Sequence, residues 1–221
     1  MRRALLLLLL VLPLAACGGT SALRTVDPLA RASAKTTSIA GAHLALNASI
    51  TSLGQSLAVT GSGEIGDHGR RAHILLSLPM SSTPLEAIAA DGSFYVRGGP
   101  VATLAQGKWV RVKADDPTFN LSAADPAQLL QYLRSTSKVE RRGTATVRGV
   151  RTTHYVARIQ PKQLARPVPV DVWVDNAGLV RRLSLRLQQV RASLDLFDFG
   201  DVSIDVPASS DTVDLSNMLG G

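Results

Sequence analysis

The feature that most constrains this chain is an alternation of apolar and polar residues at period two, which returns in short runs from Ile39 onward with turn residues between the runs. Leu44, Leu46, Ala48 and Ile50 alternate with His43, Ala45, Asn47 and Ser49, the pattern of a strand with one buried face. Leu57 and Val59 begin a second strand. Arg71 to Leu78 make a third, reached through a turn at Gly66-Asp67-His68-Gly69. Asp91-Gly92 separates two further apolar runs, a favoured two-residue hairpin signal, and Lys108 to Val112 follows as the next strand. Later strands are expected over Lys138 to Val147, Arg151 to Gln160, Val168 to Val174 and Leu179 to Gln188, with Arg148-Gly149 and Asp175 to Gly178 as turns. Short strands joined by tight turns call for an antiparallel sheet.

Two segments break the alternation. Asp27-Pro28 supplies a helix cap and then the one helix position where proline is welcome, so a short helix is expected to about Thr37. Asp125, Pro126 and Gln128 repeat that logic as a capping-box arrangement, with Leu129, Leu130 and Leu133 as the apolar stripe. Within "ASLDLFDFGDVSI" the apolar phase slips by one residue between Leu194 and Leu196 on one side and Phe197 and Phe199 on the other. A bulge near Leu196 and Phe197 would bring both pairs to one side. Past Val206 the chain becomes rich in Ser, Asp and Gly, and a loosely held tail is expected.

The N-terminus has a different character. Arg2 and Arg3 precede an apolar run from Ala4 to Leu12, then Pro13 and small residues, the three-part layout of a secretory signal. The run is too short and too broken to be a membrane anchor, which needs about 20 apolar residues. Leu14-Ala15-Ala16-Cys17 matches the bacterial lipobox, in which the cysteine receives a diacylglycerol and becomes the first residue after cleavage. That gives the chain's single cysteine a use, where a leftover thiol in an exported protein invites oxidation. The resulting organisation is a signal over residues 1–16, a lipid-anchored tether over 17–25, one domain over 26–215 and a flexible tail over 216–221. With Cys17 lipidated no intramolecular disulfide is available, so the fold rests on burial of apolar surface. Arg2 and Arg3 account for two of the +7 formal charges, and the remainder carries +5. Export argues against nucleic acid as the counterpart of that charge and favours an anionic membrane surface or lipid headgroup.

Motifs of catalysis are weak. Gly61-Ser62-Gly63-Glu64-Ile65-Gly66 matches the dinucleotide fingerprint letter for letter, but a strand follows it where a helix is required, so its glycines read as residues that let a twisted strand bend. His43, His68, His73 and His154 have no neighbours at metal-ligand spacing, and no metal site or cofactor is expected. Asp115, Asp116 and Asp125 read as turn and cap residues. No nucleophile elbow exists and the one thiol is expected to be blocked, so nothing favours an enzyme. Arg182 and Arg186, facing away from Leu183, Leu185 and Leu187, read most simply as a solvated outer face, as do the pairs Arg70-Arg71 and Arg141-Arg142, with contact to a lipid headgroup as the lesser reading.

With the lipobox, the strand series and the interrupting helix in place, the order of elements from Val26 to Leu215 resembles the LppX/LprG family of actinobacterial lipoproteins. The blocks that carry the resemblance are "DPAQLLQYL", "VERRGTATVRGVRTTHYVARI", "PVPVDVWVDNAGLVRRLSL" and "FDFGDVSIDVPA". It implies an α+β, mostly antiparallel fold: a strongly curved sheet forming an incomplete barrel, with a few helices packed on its concave face around an apolar cavity, similar also to the LolA/LolB carriers. It further implies a protein without a chemical step, anchored on the extracytoplasmic side of the cell membrane, that binds the acyl chains of a lipid or glycolipid and carries or presents it within the envelope, in some members beside a membrane lipid exporter. The alternative is an envelope-sensing or protein-interaction lipoprotein on the same fold. Candidate cavity walls are Leu44, Leu46, Ile50, Val59, Ile74, Leu76, Leu78, Val110, Val112, Leu129, Leu130 and Leu133; the same residue types equally make plain core.

Overall fold

A computed structural model describes residues 27–52, 55–79, 81–103, 105–114, 126–160 and 166–215. The signal, Cys17, the tether, Asp115, Asp116, Asp125 and the tail from residue 216 lie outside them. Helix α1 (Pro28–Ser38) starts where the cap signal places it: Asp27 accepts the Leu29 backbone N–H at 2.8 Å, and Pro28 occupies the first turn. Its buried side is Leu29, Ala32, Ser33 and Thr36, one face at helical spacing. Helix α2 (Pro126–Tyr132) runs into a 3-10 turn at Leu133–Ser135.

The strands are β1 (Gly41–Ser52), β2 (Gln55–Gly66), β3 (Arg71–Ser77), β4 (Leu85–Ala90), β5 (Ser93–Gly98), β6 (Trp109–Lys113), β7 (Ser137–Val147), β8 (Val150–Ile159), β9 (Val168–Asp175), β10 (Val180–Leu187), β11 (Val190–Gly200) and β12 (Thr212–Asp214). They form one sheet in the order β12-β6-β5-β4-β3-β2-β1-β11-β10-β9-β8-β7, antiparallel except for the parallel β12–β6 pair. The order leaves β12 and β7 as edges, so the sheet is an incomplete barrel. Tight hairpins impose the antiparallel pairing. Asp91 and Gly92 have φ of 50° and 73°, and Arg148 and Gly149 have 46° and 81°, the mirror-image turns whose twist suits flanking strands.

Register assigns the two faces. Leu44 lies opposite Gly63 on one neighbour and Leu196 on the other, and Leu46 lies opposite Gly61 and Leu194. This face carries both helices: Leu29, Ala32, Leu130 and Leu133 share one buried cluster with Leu44, Ile65, Ile74, Val170, Val172, Val180, Leu183, Leu194 and Leu196. His43, between Glu64 and Phe197, faces the other way. β2 and β3 approach each other closely at Gly63. A Cβ at Gly63 would stand 2.0 Å from the His73 carbonyl oxygen and 2.8 Å from the Ile74 Cα, so only glycine permits this approach. The Gly-Ser-Gly motif is therefore part of a bending strand, as its sequence context indicated.

Two expectations need correction. The bulge in β11 lies beyond Phe197: Gly41 pairs with Gly200 and His43 with Phe197, so the extra residue falls at Asp198–Phe199, and Asp198 has φ of 46°. Leu196 and Phe199 thus join the core while Phe197 stays on the opposite face, stacked 6.1 Å from His43 with the Arg148 guanidinium 3.8 Å above it. The second concerns the chain past Val206, which is held rather than loose. Ile204 is buried with Ile88, Ala90, Tyr95 and Trp109, flanked by Val202 and Val206, and β12 then pairs with β6. Arg111 clasps Asp214 through two bonds of 2.6 and 2.8 Å. The segment crosses the outer face where Gly41 and Gly66 leave room: a Cβ on either would meet Val202 within 3 Å.

Candidate functional site: the open end of the apolar face

Side-chain bonds fix the helices over one end of the concave face. Ser33 donates to the Leu130 carbonyl at 2.6 Å, the Val180 backbone N–H donates to Thr36 Oγ1 at 2.9 Å, and Arg134 reaches Thr37 Oγ1 at 3.1 Å. His68, in the β2–β3 turn, lies 3.3 Å from the Ser38 carbonyl. The helices therefore cover the sheet near the β2–β3 and β9–β10 turns.

Towards the other end the same face continues apolar but with less cover. Ala48 lies between Val59 and Ala192, and Ile50 between Leu57 and Val190. Leu46, Ala48, Leu57, Val59, Leu76, Leu185, Val190 and Ala192 are half-buried, and Ile50 is 39% exposed. Apolar side chains from five adjacent strands thus form a continuous, partly open surface, β1 and β2 contributing most of it.

The expected wall residues divide into three sets. Leu44, Ile74, Leu130 and Leu133 are in the main buried cluster beneath the helices, with Leu46, Leu76 and Leu129 at its border. Ile50, Val59 and Leu78 lie on the less covered part. Val110 and Val112 do not join them; they pack with Ala105 under Val101, Val213 and Leu215 as a separate cluster. Val190 and Ala192 complete the open surface and were not foreseen, because only the β1–β11 pairing, between segments about 150 residues apart in sequence, brings them beside Ile50 and Ala48.

The outer face is built of paired charges. Arg182 makes two bonds, of 2.5 and 2.6 Å, to the buried Asp195, its guanidinium 5.9 Å from the Trp173 ring. His154 stacks on Trp173 at 4.5 Å and reaches Asp171 at 2.7 Å. Glu86 accepts from His73 at 2.9 Å and from Arg97 at 2.6 Å. Burial pushes the Glu86 carboxyl up, but the Arg97 and His73 bonds together outweigh it and hold the group below its ordinary value. Arg111 likewise lowers Asp214. The solvated arginine face expected from sequence is thus more ordered than a solvated face at Arg182. A cleft of about 370 Å³ opens between His73, Glu86, Ile88, Trp109 and the crossing segment Ser203–Pro207. Among the described residues no group of three His, Cys, Asp or Glu side chains is placed to hold a metal, and no helix is long and apolar enough to cross a membrane.

In sequence, no family model and no curated protein matches the chain. In structure it is similar to the lipoprotein LppX of Mycobacterium tuberculosis, with 14% identity, 80% of this chain and 98% of LppX covered, and a TM-score of 0.52. It also aligns with LprF of Mycobacterium bovis (16% identity, 82% and 96% covered, TM-score 0.47) and with a LolA-superfamily protein of Nitrosomonas europaea (6%, 80% and 93%, TM-score 0.36). At these identities the likeness concerns the fold, and the chain has an LppX-like fold: a curved, unclosed antiparallel sheet with two short helices on its concave face.

Proposed function

We propose that this chain is a membrane-anchored extracytoplasmic lipoprotein that takes acyl chains of a lipid or glycolipid against the open apolar surface of its concave face and carries or presents that lipid within the cell envelope, without a chemical step. One observation carries the reading: the apolar rows of β1, β2, β10 and β11 continue past the helices to Ile50, which remains 39% exposed. A contiguous apolar surface left in water marks a binding site more often than a packing error. An acyl chain is its natural occupant, since each methylene withdrawn from water contributes about 0.8 kcal/mol and no polar group is needed in the wall. The wall comprises Leu46, Ile50, Val59, Leu76 and Leu78 together with Leu57, Val190 and Ala192, while the helix residues Leu129, Leu130 and Leu133 close its inner end. Cys17, ahead of the folded body, carries the diacylglycerol anchor, and a membrane exporter is the kind of partner that would hand over the cargo.

The two large apolar side chains most exposed among the described residues give a matched test, because Ile50 is on the concave face and Leu75, 43% exposed, is on the outer face. Titration with a fluorescent fatty acid is expected to show saturable uptake by the chain and by Leu75→Lys, and at least tenfold weaker uptake by Ile50→Lys. Native mass spectrometry should find a stoichiometric lipid on the purified protein. Protein that is always empty and takes up no probe, or equal uptake by both variants, refutes the proposal and turns attention to protein partners.

A further inference from the structure

The sheet's two ends differ in charge. One end is formed by the β1–β2 and β10–β11 turns, the β3–β4 link and the β8–β9 link. Its described residues from 49 to 57, 77 to 85, 158 to 168 and 186 to 191 include Arg158, Arg166, Arg186 and Arg191, all exposed, and no carboxylate; Asp27 beside Thr136 and Asp211 ahead of β12 are the acids nearest to them at this end. None of the four makes an ion pair among the described residues. At the other end the turns carry Asp67, Asp91 and Asp175, and three arginines there are matched, Arg70 with Asp67, Arg71 with Asp91 and Arg181 with Asp175, while Arg148 of the β7–β8 turn lies over the Phe197 ring.

Arg186 and Arg191 are also direct cross-strand partners. Like charges in that position repel and lower stability, and no neighbouring carboxylate offsets them. Such an arrangement is relieved by an anion from outside. The same end carries the exposed Ile50 with Leu57 and Val190 on the concave side, so cations and apolar groups reach the solvent together. The first described residue, Asp27, lies at this end as well. Asp27 is hydrogen-bonded to Thr136, which precedes Ser137, and Ser137 pairs with Arg158. The ten residues from Cys17 to Asp27 reach at most about 35 Å when extended, which keeps this end near whatever surface holds Cys17.

We infer that the arginine-bearing end, with Arg186 and Arg191 at its rim, docks on the anionic surface of a lipid bilayer and sets the open apolar face against the acyl region from which cargo is drawn. Arginines adjacent to apolar side chains suit the headgroup boundary, where charge meets phosphate and the apolar groups sink just below it. The inference rests on the lipid-handling reading, but vesicle binding and fatty-acid uptake are separate measurements, so either can fail alone.

The test is flotation of residues 18–221, which retain every member of the buried clusters, with vesicles of phosphatidylcholine containing phosphatidylglycerol. Binding is expected to need the anionic lipid and to fall with salt. Arg186→Gln with Arg191→Gln should weaken partitioning about 30-fold, each lost arginine near the surface contributing a factor of roughly five. Arg141→Gln with Arg142→Gln, the same charge removed from exposed positions within the edge strand β7, should weaken it less than threefold. Equal binding to pure phosphatidylcholine, no loss in the first variant, or equal loss in both overturns the inference. A protein that takes up fatty acid normally but binds neither vesicle overturns the docking end and leaves the lipid-handling reading in place.

Discussion

Gly61 and Gly63 are two residues apart on one strand and face the same side, yet replacing each by alanine should give very different results. At Gly63 the new methyl would meet backbone, 2.0 Å from the His73 carbonyl oxygen and 2.8 Å from the Ile74 Cα, and neither can move without parting β2 from β3. At Gly61 the nearest atom is the Leu76 Cδ2 at 2.8 Å, the far end of a side chain that can turn away, with the Leu75 carbonyl at 3.2 Å. Alanine also restricts the unfolded chain, which stabilises both variants by about 0.4–1 kcal/mol. Gly61→Ala should therefore be close to neutral. Gly63→Ala forces a backbone shift, with a cost of about 3 kcal/mol or more at the upper end of overpacking. For a domain of this size that corresponds to a Tm lower by about 6–12 °C. Urea denaturation and thermal melts of the two variants against the parent measure the difference. If Gly63→Ala lies within 0.5 kcal/mol of Gly61→Ala, the sheet does not depend on this close approach and the account of its curvature is wrong.

Thr36→Val keeps the shape of a buried side chain but removes the acceptor of the Val180 N–H, and leaving that donor unpaired should cost about 1–3 kcal/mol in urea denaturation. Thr36→Ser should recover most of the loss; a neutral valine variant would contradict the assigned bond. Glu86 predicts an acid-sensitive contribution: its folded carboxyl titrates below the ordinary 4.5, so its stabilisation is complete above about pH 4.5 and disappears as the pH falls through the lower folded value. Stability profiles from pH 3 to 7 should be less steep in acid for Glu86→Gln, and an unchanged acid limb would remove the pairing with Arg97 and His73 from the argument.

What could be read from sequence was whatever local chemistry determines. The cap at Asp27, the hairpins at Asp91-Gly92 and Arg148-Gly149, and the inward set Leu44, Leu46, Ala48 and Ile50 follow from a few adjacent residues each, and the structure has them in place. The misplaced features depend on distant partners. Phe197 and Phe199 are equally apolar, and the bulge falls at Asp198 because Phe197 finds His43 and Arg148 on the outer face while Phe199 finds the core and Arg181. Val110 and Val112 left the expected wall because β12 and the turn at Val101 cover them. The crossing segment did carry a signal, since Val202, Ile204 and Val206 alternate with Asp201, Ser203 and Asp205, but its polar composition masked the period. Gly41 and Gly66, which make its path, are more than 130 residues away in sequence.

Charge illustrates the same division between a sum and its placement. A net +7 says only that an anionic counterpart is favoured, and it says nothing about where. Register resolves this by using up the carboxylates: Asp195 is taken by Arg182, Asp171 by His154, Glu86 by His73 and Arg97, Asp214 by Arg111, and Asp67, Asp91 and Asp175 by the arginines beside them. Those pairs occupy the outer face and one set of turns, and Arg186 and Arg191 are among the cations that none of them reaches. Exposed pairs of this kind contribute little stability individually. Their consequence is instead to neutralise charge locally on the outer face, whereas Arg158, Arg166, Arg186 and Arg191, at the end bearing Ile50, have no ion-pair partner among the described residues and so remain open to a negatively charged surface.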